Sequence, residues 1–134
     1  MNVLGLVAAL TAFLTVWLGH VAVRKIESSA PTLWIPSAIF AAFGLAVEWL
    51  SLSTFDLRLS TALGILGITL LFDAFELFRQ QKRVKKGHAP ANPNNPRHAA
   101  ILANPNFHAT TQDLLKREPA GSPLPQGEGL GVRE

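Results

Sequence analysis

The segment from Asp56 to Gly87 constrains the fold of this chain more than any other stretch. It begins as an apolar run, includes the carboxylates Asp73 and Glu76, and continues without a helix-breaking residue into a cluster of cations. The cations of this cluster are Arg79, Lys82, Arg83, Lys85 and Lys86. An apolar run of this length predicts a helix that crosses a membrane, and the adjoining cations predict that this end is cytoplasmic.

Two further apolar runs precede this segment. Residues 3–23 contain only one titratable side chain, His20. As a helix they extend roughly 31 Å, enough for a hydrocarbon core of about 30 Å. Residues 33–52 form the second run, which contains Pro36 and Glu48. Because Pro is tolerated in the first turn of a helix, we expect this helix to begin near Pro36.

The third span is predicted over residues 57–78, with its helix extended to residue 86. Either Ser53 or Asp56 could cap its start, and Gly87 is the expected C-cap. The predicted fold class is therefore an all-α membrane protein whose domain, residues 1–86, has three transmembrane helices.

The charge of the chain is divided unevenly along its length. Residues 1–78 have a formal charge of −2 and residues 79–134 a charge of +5, in agreement with the total of +3. With the N-terminus outside, the cluster in the third helix and the loop cations Arg24 and Lys25 all lie inside, and only Arg58 lies outside. The distribution of Lys and Arg thus predicts an N-out, C-in, multi-pass protein.

Residues 87–134 differ in composition from the rest of the chain. They are rich in Pro, Asn and Gly and repeat the sequence Ala-Asn-Pro-Asn at 91–94 and 103–106. No periodic pattern of apolar residues indicates a buried face, so the segment is predicted to be a disordered cytoplasmic tail.

Three titratable side chains form the candidate polar cluster in the membrane: His20, Asp73 and Glu76. In the predicted topology they lie at one depth near the cytoplasmic face. One interpretation is interhelical hydrogen bonding that clamps the first helix to the third. The other is a proton relay or polar pocket in which His20 titrates between the carboxylates. The clamp is the favoured interpretation. Glu48 lies near the other face and is expected to be exposed at the interface.

The cations Arg24, Lys25, Arg79, Lys82, Arg83, Lys85 and Lys86 are interpreted first as topology determinants. Attraction to anionic lipid headgroups, about 1 kcal/mol for each cation, follows from the same positions. The lipid bilayer is therefore the one partner that composition predicts directly.

Several function classes find no support in the sequence. The chain has no cysteine, which excludes disulfides and thiolate chemistry. The tail residues His88, His98 and His108 lack the fixed geometry that metal ligands need, so no metal site is predicted. No phosphate-binding loop, nucleophile elbow or nucleic-acid module is found. We therefore expect no enzyme activity, no cofactor and no nucleic-acid partner.

The end of the third helix and the start of the tail resemble a known signature. The similar residues are Glu76-Leu77-Phe78, Gln81-Lys82-Arg83-Val84, Lys86-Gly87, Pro90 and Asn92-Pro93. Over roughly residues 1–96 the chain resembles a family of small bacterial three-helix membrane proteins known only as a domain of unknown function. It departs from that family at His88-Ala89, where bulky aromatic residues are expected, and in the length of its tail. The resemblance implies a location in the bacterial cytoplasmic (inner) membrane and no known activity.

The leading hypothesis from sequence is a non-enzymatic accessory or assembly subunit of a membrane complex. Its partner would be another membrane protein or a second copy of the chain. The alternative is a small oligomeric transporter or proton-conducting protein that uses the cluster of His20, Asp73 and Glu76.

Overall fold

A computed structural model of the chain describes residues 2–113, which form four α-helices and no strand. The helices are α1 (Leu4–Ser29), α2 (Trp34–Ser53), α3 (Leu57–Lys85) and α4 (Pro96–Ala103). The first three are long and apolar enough to cross a membrane, in agreement with the predicted all-α fold.

Helix α1 is longer than its predicted span, and α2 begins two residues before the start expected near Pro36. Helix α1 continues to Ser29, six residues past the predicted limit of the span. Its last, mostly polar turns are thus helical as well. Helix α2 begins at Trp34, so Pro36 is its third residue and still lies in the first turn. Its 20 residues match the usual length of a spanning helix.

Helix α3 begins and ends close to the predicted positions. Of the two predicted N-caps, the structure uses Asp56, whose carboxylate accepts hydrogen bonds from the amides of Arg58 and Leu59. At the other end Gly87 has a φ of +76°, and the amide of His88 donates to the carbonyl of Arg83. This is the geometry of a Schellman cap, which explains why a glycine ends the helix.

Helix α3 lies between α1 and α2, and both pack along it. At the closest approach of α2, a side chain on Gly44 would come within 2.7 Å of Leu71 Cγ and 3.0 Å of the Gly67 carbonyl. Nearer the α2–α3 loop, the hydroxyl of Ser51 donates to the Ser60 carbonyl at 2.7 Å, and that of Ser60 donates to the Ser51 carbonyl at 2.9 Å. Small residues therefore bring the helices together, as expected for packing in lipid.

The surface of the three long helices is dominated by exposed apolar side chains, while the buried apolar core is small. Phe55, Leu52 and Trp49 are among the most exposed large residues. The core cluster consists of Val23, Leu33 and Leu77, with Ile26 and Phe40 packed against it. An aqueous protein would bury more of this surface, so the distribution suits a bundle surrounded by lipid.

The structure corrects the predicted disorder of residues 87–134 over its first half. Residues 96–103 form α4, and residues 87–113 as a whole fold back over the end of the bundle where α1 and α3 end. We call residues 87–113 the cap and this end of the bundle the basic end. The remainder of the predicted tail, residues 114–134, lies outside the described residues.

Candidate functional site

The basic end is built from the last turns of α1 and α3 together with the cap. The cations Arg24, Lys25, Arg79, Lys82, Arg83 and Lys86 are exposed there, and Lys85 is half-buried. Three of them, Lys82, Arg83 and Lys85, lie in the last turn of α3, where the helix dipole favours positive charge. The seven cations interpreted as topology determinants thus lie at one end of the molecule.

Glu76 is buried on α3 and is held by arginines of the same helix. Its carboxylate lies 3.4 Å from Arg79 Nε and 3.3 Å from Arg83 Nη2, and its own side chain is only 4% exposed. The two arginine side chains are about half exposed, so their positive charge lies partly at the surface of the basic end. Glu76 is therefore neutralised locally within α3.

Asp73 lies one turn deeper and faces α1. It is 5% exposed, and its carboxylate packs directly on Gly19, where any larger residue would overlap it. His20 and Glu76 are the titratable side chains that act electrostatically on this carboxylate. Within residues 2–113, however, no hydrogen bond or ion pair satisfies the Asp73 oxygens.

His20 does not occupy the contact between α1 and α3. Its side chain is exposed, while the neighbouring Gly19 is buried against Asp73. His20 and Glu76 act electrostatically on Asp73, and within residues 2–113 no hydrogen bond joins the three side chains. The close contact between the helices comes from the glycine rather than from the histidine.

Polar side chains continue from Asp73 towards the middle of the bundle, and we call Asp73, Thr69 and Thr15 the polar seam. The hydroxyls of Thr15 on α1 and Thr69 on α3 lie 3.3 Å apart, one turn from Gly19 and Asp73 respectively. A cavity of about 180 Å³ opens beside these residues, and Asp73 lines it. The seam therefore ends in open space between α1 and α2 rather than in a packed core.

Glu48 is the acid of α2, and its position differs from the prediction of simple interfacial exposure. The side chain is half-buried and lies against Gly67 near the middle of α3, where an added Cβ would come within 2.8 Å of its carboxylate. Since Gly67 has no side chain, the Glu48 stem can lie flat on α3. This contact is on the α2 side and does not involve the predicted cluster.

Sequence reasoning missed a buried charge network between α1 and the cap. Glu27, 2% exposed, accepts a hydrogen bond from Arg97 Nη1 at 2.9 Å. Its Oε1 also lies 2.9 Å from Nε2 of His98, which is fully buried. The other ring nitrogen of His98, Nδ1, accepts from the amide of Asn92 at 2.8 Å. That bond assigns the ring proton to Nε2, so His98 donates to Glu27.

Two asparagines of the cap satisfy the free carbonyls at the end of α1. Asn92 Nδ2 donates to the Ser28 carbonyl at 3.0 Å, and Asn95 Nδ2 donates to the carbonyls of Ser28 and Ala30, each at 3.0 Å. Arg97 adds a hydrogen bond to the Glu27 carbonyl. The last carbonyls of a helix lack partners within the helix, so the cap here acts as an external C-cap for α1.

The cap is attached to α3 as well. The amide of His108 donates to the Lys85 carbonyl at 2.9 Å, and Lys85 Nζ lies 5.0 Å from the centre of the Phe107 ring. Within the cap, the amide of Ala91 donates to the Thr110 carbonyl. The segment thus connects the ends of α1 and α3.

One signal in the sequence could have revealed α4. The side-chain oxygen of Asn95 caps the helix by accepting a hydrogen bond from the Arg97 amide, and Pro96 follows at the first helical position. Asn followed by Pro is a known start for a helix. The contacts of Glu27 with Arg97 and His98 join residues about 70 positions apart, and no local pattern indicates them.

The described residues 2–113 contain no group of three or more His, Asp or Glu side chains placed to hold a metal ion. His98 takes part in the buried network, whereas His88 and His108 are exposed.

Comparison with protein families identifies a match to a domain of unknown function, DUF4491, over residues 2–95. The matched region includes the three long helices, Glu27 and both capping asparagines, and it ends immediately before α4. Curated proteins and solved structures give no match.

Proposed function

The chain belongs to the DUF4491 family, and on that premise we propose that it is a non-enzymatic accessory or assembly subunit of a membrane complex. We place it in the bacterial cytoplasmic membrane with its basic end in the cytoplasm. The support for this orientation is the concentration of Lys and Arg at that end, against Arg58 at the other.

The folded cap is the observation that carries the proposal. Burial of Glu27, Arg97 and His98 against one another has a desolvation cost, which their mutual contacts offset. The result is a fixed surface at the basic end rather than a mobile chain. A fixed surface with exposed cations around it suits the recognition of another protein.

The polar groups of the basic end are largely engaged in holding the fold. Glu76 pairs with Arg79 and Arg83, and Glu27 pairs with Arg97 and His98. This arrangement supports a structural use of these groups and leaves the exposed cations for contact with partners. Lys82 and Lys86 project from the end of α3 and are exposed. We infer that they contact acidic groups of a partner protein or anionic lipid headgroups.

The alternative function, a transporter or proton-conducting oligomer, requires a continuous polar path from Asp73 to the basic end. Glu76 would be the next group on that path, and it is held by two arginines. Nothing in residues 2–113 favours this alternative over the accessory role.

The experiment that tests the accessory role uses a photo-crosslinking amino acid at Lys82, with Arg58 at the other end of the bundle as the matched position. Both side chains are exposed and cationic. Irradiation of native membranes followed by gentle extraction should give one protein adduct, in fixed ratio to the chain, from position 82 and not from position 58. Recovery of the uncrosslinked chain alone from both positions would contradict the proposal.

A further inference from the structure

The groove between α1 and α2 is the part of the molecule that the fold leaves unfilled. Both helices pack on α3 and make little contact with each other. The space between them is a groove of two adjoining cavities that share the side chains of Phe40 and Leu70. The larger cavity, about 370 Å³, has an entirely apolar lining that includes Ile39 and Phe43.

The smaller cavity, about 180 Å³, has Asp73 in its wall. Asp73 as a whole residue is 5% exposed, its carboxylate lines the cavity, and no hydrogen bond or ion pair within residues 2–113 involves its oxygens. An acid within the apolar part of a membrane is costly unless another group compensates it. Glu76, in contrast, has two arginines. Asp73 therefore has no hydrogen-bond donor or ion-pair partner among residues 2–113.

The sizes of the cavities indicate what kind of donor fits. Pockets for small-molecule ligands usually measure about 300–1,000 Å³, so the cavity of 180 Å³ beside Asp73 suits a single side chain. The adjoining apolar cavity suits the apolar residues that flank this side chain in the bound segment. A helix that lies in the groove and directs one basic side chain inward would fill both.

We propose that the α1–α2 groove binds a transmembrane helix of the partner protein, and that a lysine or arginine of this helix pairs with Asp73. The proposal rests on the proposed accessory function and names the chemistry of its partner. Charge complementarity identifies this occupant, since the groove is apolar apart from the Thr15–Thr69 hydroxyls and one acid that forms no ion pair within residues 2–113. A small residue of the cavity wall, Ala22, permits close approach of the partner.

The test begins with photo-crosslinking inside the membrane. Phe43 lines the groove and is 62% exposed, and Phe75, 71% exposed, serves as the matched position outside it. Irradiation should give a protein adduct from position 43 and none from position 75. The peptide joined at position 43 should belong to an apolar span that contains a Lys or Arg. A lipid adduct, or an adduct with a second copy of this chain, would overturn the proposal.

Two variants then test the role of the acid and of the cavity. Asp73→Asn should lower the yield of the adduct at least tenfold, while Glu48→Gln, the same change on the α2–α3 contact, should leave it unchanged. Ala22→Phe fills the cavity and keeps Asp73, so it should also abolish the adduct, whereas Ala9→Phe on the exposed side of α1 should not.

The outcome separates this inference from the function on which it rests. If Asp73→Asn and Ala22→Phe both leave the yield at position 43 unchanged, the basic-residue pairing is wrong. The crosslink from Lys82 at the basic end should still form in that case if the accessory function is right. Loss of the Lys82 adduct in the parent protein would instead remove the accessory function itself.

Discussion

Removal of the Glu27 carboxylate should release the cap from the bundle. In Glu27→Ala, the buried donors Arg97 Nη1 and His98 Nε2, each 2.9 Å from Glu27 Oε1, lose their acceptor together. Removing one partner of a buried ion pair costs about 3–5 kcal/mol because the other charge is left uncompensated. Since Glu27 is 2% exposed and the Arg97 side chain 14% exposed, water can replace little of this loss without opening the cap.

Hydrogen exchange of the protein in lipid nanodiscs, followed by mass spectrometry, measures this opening directly. At about 1.4 kcal/mol for each factor of ten, the loss corresponds to roughly 100- to 3,000-fold faster exchange. The acceleration should appear in peptides from residues 88–110, where the amide of Asn92 is bonded to His98 of the network and that of His108 to the Lys85 carbonyl of α3. Peptides from the contact between α2 and α3 should keep their protection.

The matched control is Lys25→Gln, an exposed change in the same turn of α1, which should leave the exchange of the cap unaltered. A double-mutant cycle with Arg97→Gln should give a coupling well above 0.5 kcal/mol, as expected of groups in direct contact. If Glu27→Ala exchanges like the parent protein in residues 88–110, the buried network does not hold the cap and the reasoning fails.

Three further predictions concern the packing of the helices and the end of α3. Gly44→Ala should destabilise the bundle in detergent unfolding by about 1–3 kcal/mol through overpacking, while Gly5→Ala, with open space around it, should change little. Gly87→Ala should cost about 1–2 kcal/mol from its positive φ alone and should raise protease cleavage within the cap, an effect absent if the Schellman turn is not formed. Ser51→Ala and Ser60→Ala should each cost about 0.6 kcal/mol, as interhelical hydrogen bonds in membranes do, and equal stability of both variants and the parent protein would contradict the reciprocal pair.

The three long helices could be predicted from sequence because their signals are local. An apolar run of sufficient length needs no distant partner to be recognised, and Asp56 and Gly87 mark the ends of α3 by their own chemistry. The grouping of His20, Asp73 and Glu76 at one level is predicted by counting residues along helices, and it stays a prediction. Their individual contacts did not follow, because rotation about each helix axis decides whether His20 or Gly19 faces α3.

The cap could not be predicted because its stability depends on contacts between distant residues. Its composition, rich in Pro and Asn, is that of a disordered segment when only neighbours are considered. In the structure the asparagines Asn92 and Asn95 satisfy carbonyls at the end of α1, and Arg97 and His98 reach Glu27. The cap has no hydrophobic pattern, and it is ordered by hydrogen bonds to the backbone carbonyls that the end of α1 leaves without partners.

The most direct test of the account is the accessibility of single thiols in intact bacterial cells, since the chain has no cysteine of its own. Ser53→Cys, at the end of α2, and Ala99→Cys, on α4, place exposed thiols at opposite ends of the bundle. A maleimide that cannot cross membranes should label position 53 in intact cells and position 99 only after the membrane is permeabilised. Labelling of position 99 in intact cells would place the basic end outside and contradict the account.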